Sequence, residues 1–434
     1  MKRLRVLIII MTYFFSQELS ATRYTLDHSI SLLGRYEDNI SFSDVEKKNA
    51  SAGIIDIYGS LSQSTPISEM NIFLNMNSTS YTDSVYNIDT QSFGFFYNRG
   101  FENGSWSLRG SEANRSDREI NLALGGGDLA SEDYQVDTQG LNFNFQNNLS
   151  ERQNISIDIG FQGNDYEYPT RSDYDYWSSS TLWQFVINQR LRLQGRVSYS
   201  NYLQKEKSSE VFFDLSGFGQ PYTEENHEQC RQGETLPNCG YVRKTSFEQK
   251  NKGLQLGVYY IFNELISFDS LIGLSKIDNI FYDLQEYYPK DNGIFVDNGS
   301  ESNETSTTYQ VNLYHKKETV DSTLSASSSN RIGGDGEVSP TVEYSLSNKW
   351  QLDDKQSLVS ELGYLDRSLF NTTQGDKVKT KKIMISYSYD INPYWLVDIS
   401  YTHMKRSKPT PNDFNASNNR IMFSIKWAPE KIQL

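Results

Sequence analysis

Apolar residues return at every second position in short stretches along the whole chain. In NISIDIGFQG (154–163), Ile155, Ile157, Ile159 and Phe161 fall on one side of an extended backbone, with Ser156, Asp158, Gly160 and Gln162 on the other. That period of two belongs to a β-strand with one apolar and one polar face. It recurs in SISLLGRY (29–36), GIIDIYGSL (53–61), MNIFLNMNS (70–78), QSFGFFYN (91–98), SWSLRGSE (105–112) and GLNFNFQN (140–147). After 154–162 come TLWQFVIN (181–188), LRLQGRVSY (191–199), GLQLGVYYIF (253–262), ISFDSLIGL (266–274) and TYQVNLYHK (308–316). DSTLSASSS (321–329), SPTVEYSL (339–346), SLVSELGYL (357–365), KIMISYSYD (382–390), WLVDISYTH (395–403) and RIMFSIKW (420–427) bring the set to eighteen. Helical periodicity is almost absent.

The links between these segments alternate in length. NLSERQ (148–153), QR (189–190), NEL (263–265), KETV (317–320) and INP (391–393) are short, while 201–252 and 276–307 are long and polar. Transmembrane barrels have this asymmetry, with tight periplasmic turns, longer extracellular loops and an even strand number. The chain is therefore predicted to be all-β, a closed antiparallel transmembrane β-barrel of about 18 strands, in a range of about 16 to 20. In lipid an open sheet edge leaves backbone groups unpaired, so the first strand must meet the last. The competing fold is a large soluble β-sandwich or β-helix. A sandwich would alternate too, but no fixed repeat supports a solenoid or propeller.

Composition bears on that choice. Of 434 residues only 37% are hydrophobic, which is little for a large dry core, yet 13% are aromatic, with 29 Tyr and 23 Phe. Disordered chains are depleted in rings. A barrel accommodates both figures, because only alternate positions need be apolar and aromatic girdles mark the interfaces.

The N-terminus predicts export. Lys2, Arg3 and Arg5 precede VLIIIMTYFF (6–15), long enough for a signal-peptide core and too short to span a bilayer. Cleavage is placed after Ala21, although Leu19 departs from the usual small residue at minus three. The expected organisation is a signal peptide over 1–21 and a single outer-membrane barrel over 22–434, in contact with lipid and lipopolysaccharide. The last segment sets Ile421, Phe423, Ile425 and Trp427 on one face, as in closing strands engaged by the bacterial barrel-assembly machinery, but APEKIQL (428–434) runs on beyond it. Cys230 and Cys239 sit in a polar stretch with Gly233 and Pro237 between them, which suits a disulfide in an oxidising compartment. His227 is the sole imidazole nearby, too little for a zinc site.

With the apolar face outward, Arg190, Arg192 and Arg196 point into the lumen, with Lys316, Arg331, Lys382 and Arg406 as further basic candidates. Guanidinium rings on a pore wall select anions or guide an acidic polymer such as a polysaccharide. The same arginines could instead pair with the inward carboxylates Asp158, Asp269, Glu343, Glu361 and Asp398 and simply complete a polar wall. The net charge of -14 argues against nucleic acid as a partner. It concentrates in stretches such as 116–137 and 297–305, solvated loops that could also hold divalent cations against lipopolysaccharide. DYDYW (173–177) could stack on sugars or anchor at the interface. His28, His227, His315 and His403 are scattered, and no nucleophile motif, metal-ligand pair or phosphate loop occurs, so no enzyme activity, cofactor or metal is expected.

ISLLGRYEDNISFS (30–43), with Tyr36, Glu37, Asp38, Asn39 and Ile40 as an aromatic, acidic turn after the first strand, resembles the opening of a porin 2-like family of outer-membrane β-barrels. Members occur beside exopolysaccharide gene clusters, including those linked to the PEP-CTERM sorting system. The resemblance implies an outer-membrane barrel, porin-like or assisting polysaccharide export, with no catalytic residues to carry over. The alternative class is a non-conducting structural or adhesive barrel that binds a surface partner through its long loops.

Overall fold

In the computed structural model, every one of the eighteen alternating segments falls on a β-strand. The structure describes residues 23–44, 46–119, 134–166, 173–212, 240–287, 295–297, 299–332, 338–368, 377–408 and 414–433. The expected signal peptide and the Cys230–Cys239 pair lie outside them. The strands are β1 (Arg23–Glu37), β2 (Ala50–Ser64), β3 (Ser68–Tyr81), β4 (Ile88–Phe101), β5 (Gly104–Ser116), β6 (Gln135–Ser150) and β7 (Gln153–Tyr166). Next are β8 (Tyr174–Val186), β9 (Leu191–Phe212), β10 (Gly240–Ile261), β11 (Ile266–Tyr287), the short β12 (Phe295–Asp297) and β13 (Ser300–Lys317). Then follow β14 (Val320–Ile332), β15 (Val338–Gln351), β16 (Gln356–Ser368), β17 (Lys377–Asn392), β18 (Trp395–Lys408), β19 (Phe414–Trp427) and the short β20 (Ile432–Gln433). Without β12 and β20, eighteen long strands remain.

Each long strand pairs antiparallel with its sequence neighbour, and β1 closes the sheet on β19 from Ile30 opposite Trp427 to Glu37 opposite Arg420. No edge of the barrel is left open, as a sheet surrounded by hydrocarbon requires. The residues after Trp427 do not interrupt closure: the chain steps out and returns as β20, pairing Ile432 with Leu26 and Gln433 with Thr25, while Lys431 bridges Asp27 at 3.1 Å.

The tight turns are written by asparagine and aspartate, whose side chains accept from backbone N–H groups two or three residues on. Asn188 takes Arg190 and Leu191, Asn263 takes Leu265 and Ile266, and Asn392 takes Tyr394 and Trp395. At the other end, the links read from sequence as long and polar carry strand over 201–212 and 240–252 and over 276–287 and 300–307. β9, β10 and β11 each run 22 residues, and β9 stays paired with β10 up to Phe212 opposite Gly240. Backbone pairing continues past the apolar medium, but side chains there no longer need one apolar face, so the alternation that marks a strand disappears.

The β10 and β11 backbones crowd together at two glycines. A Cβ on Gly257 would lie 1.7 Å from the Ser270 carbonyl oxygen, and one on Gly273 would lie 1.8 Å from that of Leu254. Only glycine permits so close an approach of the two backbones.

The outer face is apolar around the whole circumference. Ile30 and Leu32 on β1, Ile55 and Ile57 on β2, Leu254 and Leu256 on β10, Ile272 and Leu274 on β11, and Ile421 and Phe423 on β19 are all exposed, Leu256 to 67%. Water-soluble proteins rarely show a contiguous apolar patch above a few hundred Å². A belt around eighteen strands is the outside of a barrel whose solvent is hydrocarbon. No helix among the described residues is long and apolar enough to cross a membrane.

Candidate functional site on the inner wall

The polar positions of the alternation face inward. Along β7 these are Ser156, Asp158, Gly160 and Gln162; along β9 they include Arg192, Gln194, Arg196, Ser198 and Ser200, while Leu193, Val197 and Tyr199 are exposed on the outside. One inner-wall cavity measures about 550 Å³ and is lined chiefly by hydroxyls and amides, among them Ser178, Ser198, Ser325, Ser327, Asn142, Asn251, Gln255 and Gln310. Short polar side chains leave a strand's inner face hydrated and give little room to fixed charge.

The charges that do face inward are mostly engaged. Arg331 pairs with Glu343, and Lys382 with Glu361 at 3.2 Å. The Arg196 guanidinium donates to Gln310 Oε1 at 3.2 Å, and that of Arg192 lies over the Tyr259 ring, 5.3 Å from its centroid. Asp158 accepts from Asn144 at 2.6 Å and Asp398 from Ser424 at 3.2 Å. Lys316 stands opposite Asp321 across the β13–β14 pair, Arg406 is buried, and one oxygen of Asp269 is enclosed without a hydrogen-bond partner. Arg190 departs from the sequence reading. It belongs to the exposed turn 187–190, where Asn188 captures its N–H, so the inner row on β9 holds Arg192 and Arg196 only. The turn bends the backbone before the inward alternation starts.

At the long-loop end, the segment after β1 folds into the barrel. Glu37, Asn39, Ile40 and Phe42 are each at most 1% exposed. β19 continues beyond the point where β1 stops, which would leave its edge carbonyls unpaired. Asp38 N–H donates to Asn419 O at 3.1 Å and Asn39 Nδ2 to Ser417 O at 2.9 Å, covering that edge. Ile40 packs with Ala50, Ala52, Ile54, Tyr81, Tyr86 and Leu33 on one side of the seam, and Phe42 with Ala416 and Met404 on the other. Phe42 takes φ 51°, the left-handed region that a bulky residue enters at a cost.

Under this segment lies a buried ionic cluster. Glu37 accepts from Arg118 at 2.6 Å, Asn418 at 2.7 Å and Tyr81 at 3.2 Å, and Arg420 stands 3.3 Å away. Arg35 donates to Tyr81 at 2.8 Å and to Glu119 at 2.7 Å, and Arg118 also donates to Ile40 O at 3.0 Å. Burial by itself would raise the Glu119 carboxyl, but the Arg35 and Arg420 charges outweigh it and hold that group below the ordinary carboxylate range. Sequence reasoning passed over Leu33 and Ile54 because it sent apolar residues outward. Their signal is the doublets Leu32–Leu33 and Ile54–Ile55, where alternation fails because both faces are apolar. No group of three His, Cys, Asp or Glu able to hold a metal occurs among the described residues.

No protein-family model matches the chain, and no curated protein matches its sequence. Solved structures do. The ferric yersiniabactin uptake receptor FyuA from Yersinia pestis aligns with TM-score 0.45 and 7% identity over 96% of this chain and 81% of that one. The Pseudomonas aeruginosa outer membrane protein OpdK gives 0.44 and 8% over 93% and 99%. Acinetobacter baumannii OccAB3 gives 0.40 and 8% over 94% and 99%.

Proposed function

We propose that the protein is an outer-membrane channel, a porin-like passive pore for small hydrophilic solutes. One observation carries this reading: a closed sheet of eighteen long strands turns an apolar belt outward and a wall of hydroxyls and amides inward. Such a barrel partitions into a bilayer and surrounds a hydrated path, with no moving part or cofactor required. β1 starts and β19 ends on the tight-turn side, and β9–β11 run longest toward the other, which supports reading the tight turns as periplasmic.

Planar-bilayer recording of the refolded chain tests the proposal. Steady unitary currents are expected; a correctly folded, heat-modifiable barrel that stays electrically silent would replace the channel by a structural or adhesive role. A narrower version, a conduit assisting export of an extracellular polysaccharide, is supported by the hydroxyl-rich wall, whose donors and acceptors suit sugar hydroxyls. Deletion of the gene in its native host should then reduce secreted polysaccharide, with recovery on complementation.

A further inference from the structure

The arginines with the best claim to bind a ligand are not those on β9. A second inner-wall cavity, about 310 Å³, lies across β5–β8 and holds Arg109 and Arg115 together with Ser111, Thr138, Asn142 and Gln162. Among the described residues no carboxylate lines it. Many other cationic groups on the wall meet carboxylates: Arg331 has Glu343, Lys382 has Glu361, Arg35 has Glu119, and Arg118 and Arg420 share Glu37. Arg109 and Arg115 are exposed to the bore and form no ion pair among the described residues. Arg109 is held by stacking, its guanidinium carbon 5.5 Å from the centroid of the Phe96 ring on β4. That contact fixes the plane of the fork while leaving its N–H groups unspent. The Thr138 hydroxyl oxygen, in the same lining, is shielded from solvent and has no hydrogen-bond partner.

We infer that Arg109 and Arg115 form an oxyanion subsite on the channel wall, one that takes the carboxylate group of a solute in transit. The inference deepens the channel reading and rests on it for the words "in transit"; the binding itself does not. A carboxylate supplies the acceptor lone pairs that the cavity lacks. Arginine forks engage it with two parallel N–H bonds, and the neutral donors of Ser111, Thr138, Asn142 and Gln162 can hold the rest of a hydroxylated molecule. The two arginines are six residues apart on β5, a Cα separation of about 20 Å at strand rise. Each reaches inward to the shared cavity, so an anion could be handed from one to the other along the wall. This is the local excess of positive charge that raises anion concentration in a cleft.

The test is calorimetric titration of the full chain, refolded in detergent, with sodium glucuronate and with glucose. Glucuronate should bind and glucose should not, and the affinity should fall as salt rises. Arg109→Gln and Arg115→Gln should each weaken binding about tenfold, the loss of one charge-assisted hydrogen bond. Arg109→Lys, which keeps the charge and loses the fork, should fall between. Arg152→Gln, the same change of charge in the turn 151–152, should leave binding as in wild type. A galacturonate trimer run beside the monomer separates sources: a trimer that binds more tightly through the same arginines marks an acidic polymer, and equal affinities mark a small acid. Glucuronate binding untouched in Arg109→Gln and Arg115→Gln, or absent from the folded wild type, would overturn the site. A barrel that binds glucuronate through these arginines but carries no current would keep the site and remove the channel.

Discussion

Removing Glu37 should cost more than removing any other single carboxylate on the wall. Its side chain is wholly buried, and it receives Arg118, itself 2% exposed, at 2.6 Å, with Asn418, Tyr81 and Arg420 around it. Glu37→Ala takes away the buried carboxylate on which Arg118, Asn418, Tyr81 and Arg420 converge, and breaking a buried ion pair typically costs about 3 to 5 kcal/mol. Arg420 is 25% exposed and can turn toward water, which places the expectation at the lower end of that range. Glu37→Gln keeps an acceptor oxygen and loses only the charge, so about 1.5 to 3 kcal/mol is expected. The assay is urea unfolding of the refolded barrel followed by far-UV circular dichroism, with Asp44→Ala, an exposed carboxylate in the same loop, as a control near zero. A Glu37→Ala barrel within about 1 kcal/mol of the control would refute the reasoning, because a buried ion pair cannot be broken that cheaply.

Three further outcomes follow from the same geometry. Phe42 combines near-total burial with a left-handed backbone, so Phe42→Ala loses the ring and keeps the strain. Phe42→Gly should therefore be the more stable of the two by about 1 kcal/mol in the same unfolding experiment, the reverse of the usual order. Gly257→Ala and Gly273→Ala would drive a methyl into backbone atoms; folding yield, read from heat-modifiable migration on gels, should collapse for both, while Gly34→Ala, with open space around its Cβ, should fold normally. The Glu119 carboxyl is held below its unfolded range, so its contribution is present above about pH 4.3 and fades as acidification carries the pH through the folded value. Because Glu119 is 48% exposed, the effect should be small, and Glu119→Gln should flatten the loss of urea midpoint between about pH 5 and about pH 3.

How much of this was legible depended on whether a residue's surroundings repeat along the chain. The belt was, because Ile155, Ile157, Ile159 and Phe161 write their environment in a period of two, and so were the turns at Asn188 and Asn263. Strand length was not: residues 201–212 and 240–252 stay paired without the alternation that one apolar face imposes. Parity alone set Arg192, Arg196, Arg331 and Lys382 on the polar side of their strands but named no partners: Gln310 lies on β13, which does not pair with the β9 of Arg196, while Glu343 meets Arg331 across the paired β14 and β15. Arg190 shows the limit of parity, which holds only while the backbone stays extended. The turn at Tyr36–Ile40 stood out as a motif, yet nothing local showed that Glu37 would meet Arg118 and Arg420 from far along the chain. Arg109 and Arg115 share a strand, and only the absence of carboxylates among the described residues that line their cavity sets them apart.

The central claim is that each strand divides hydrocarbon from a wet bore. Nitroxide labels placed singly from 155 to 162, in a chain with Cys230 and Cys239 replaced by serine and reconstituted in liposomes, measure this directly through collisions with oxygen and with a water-soluble nickel chelate. Oxygen access should peak at 155, 157, 159 and 161 and nickel access at 156, 158, 160 and 162, out of phase along the whole stretch. Two profiles that rise and fall together, or nickel access equal on both faces, would contradict it.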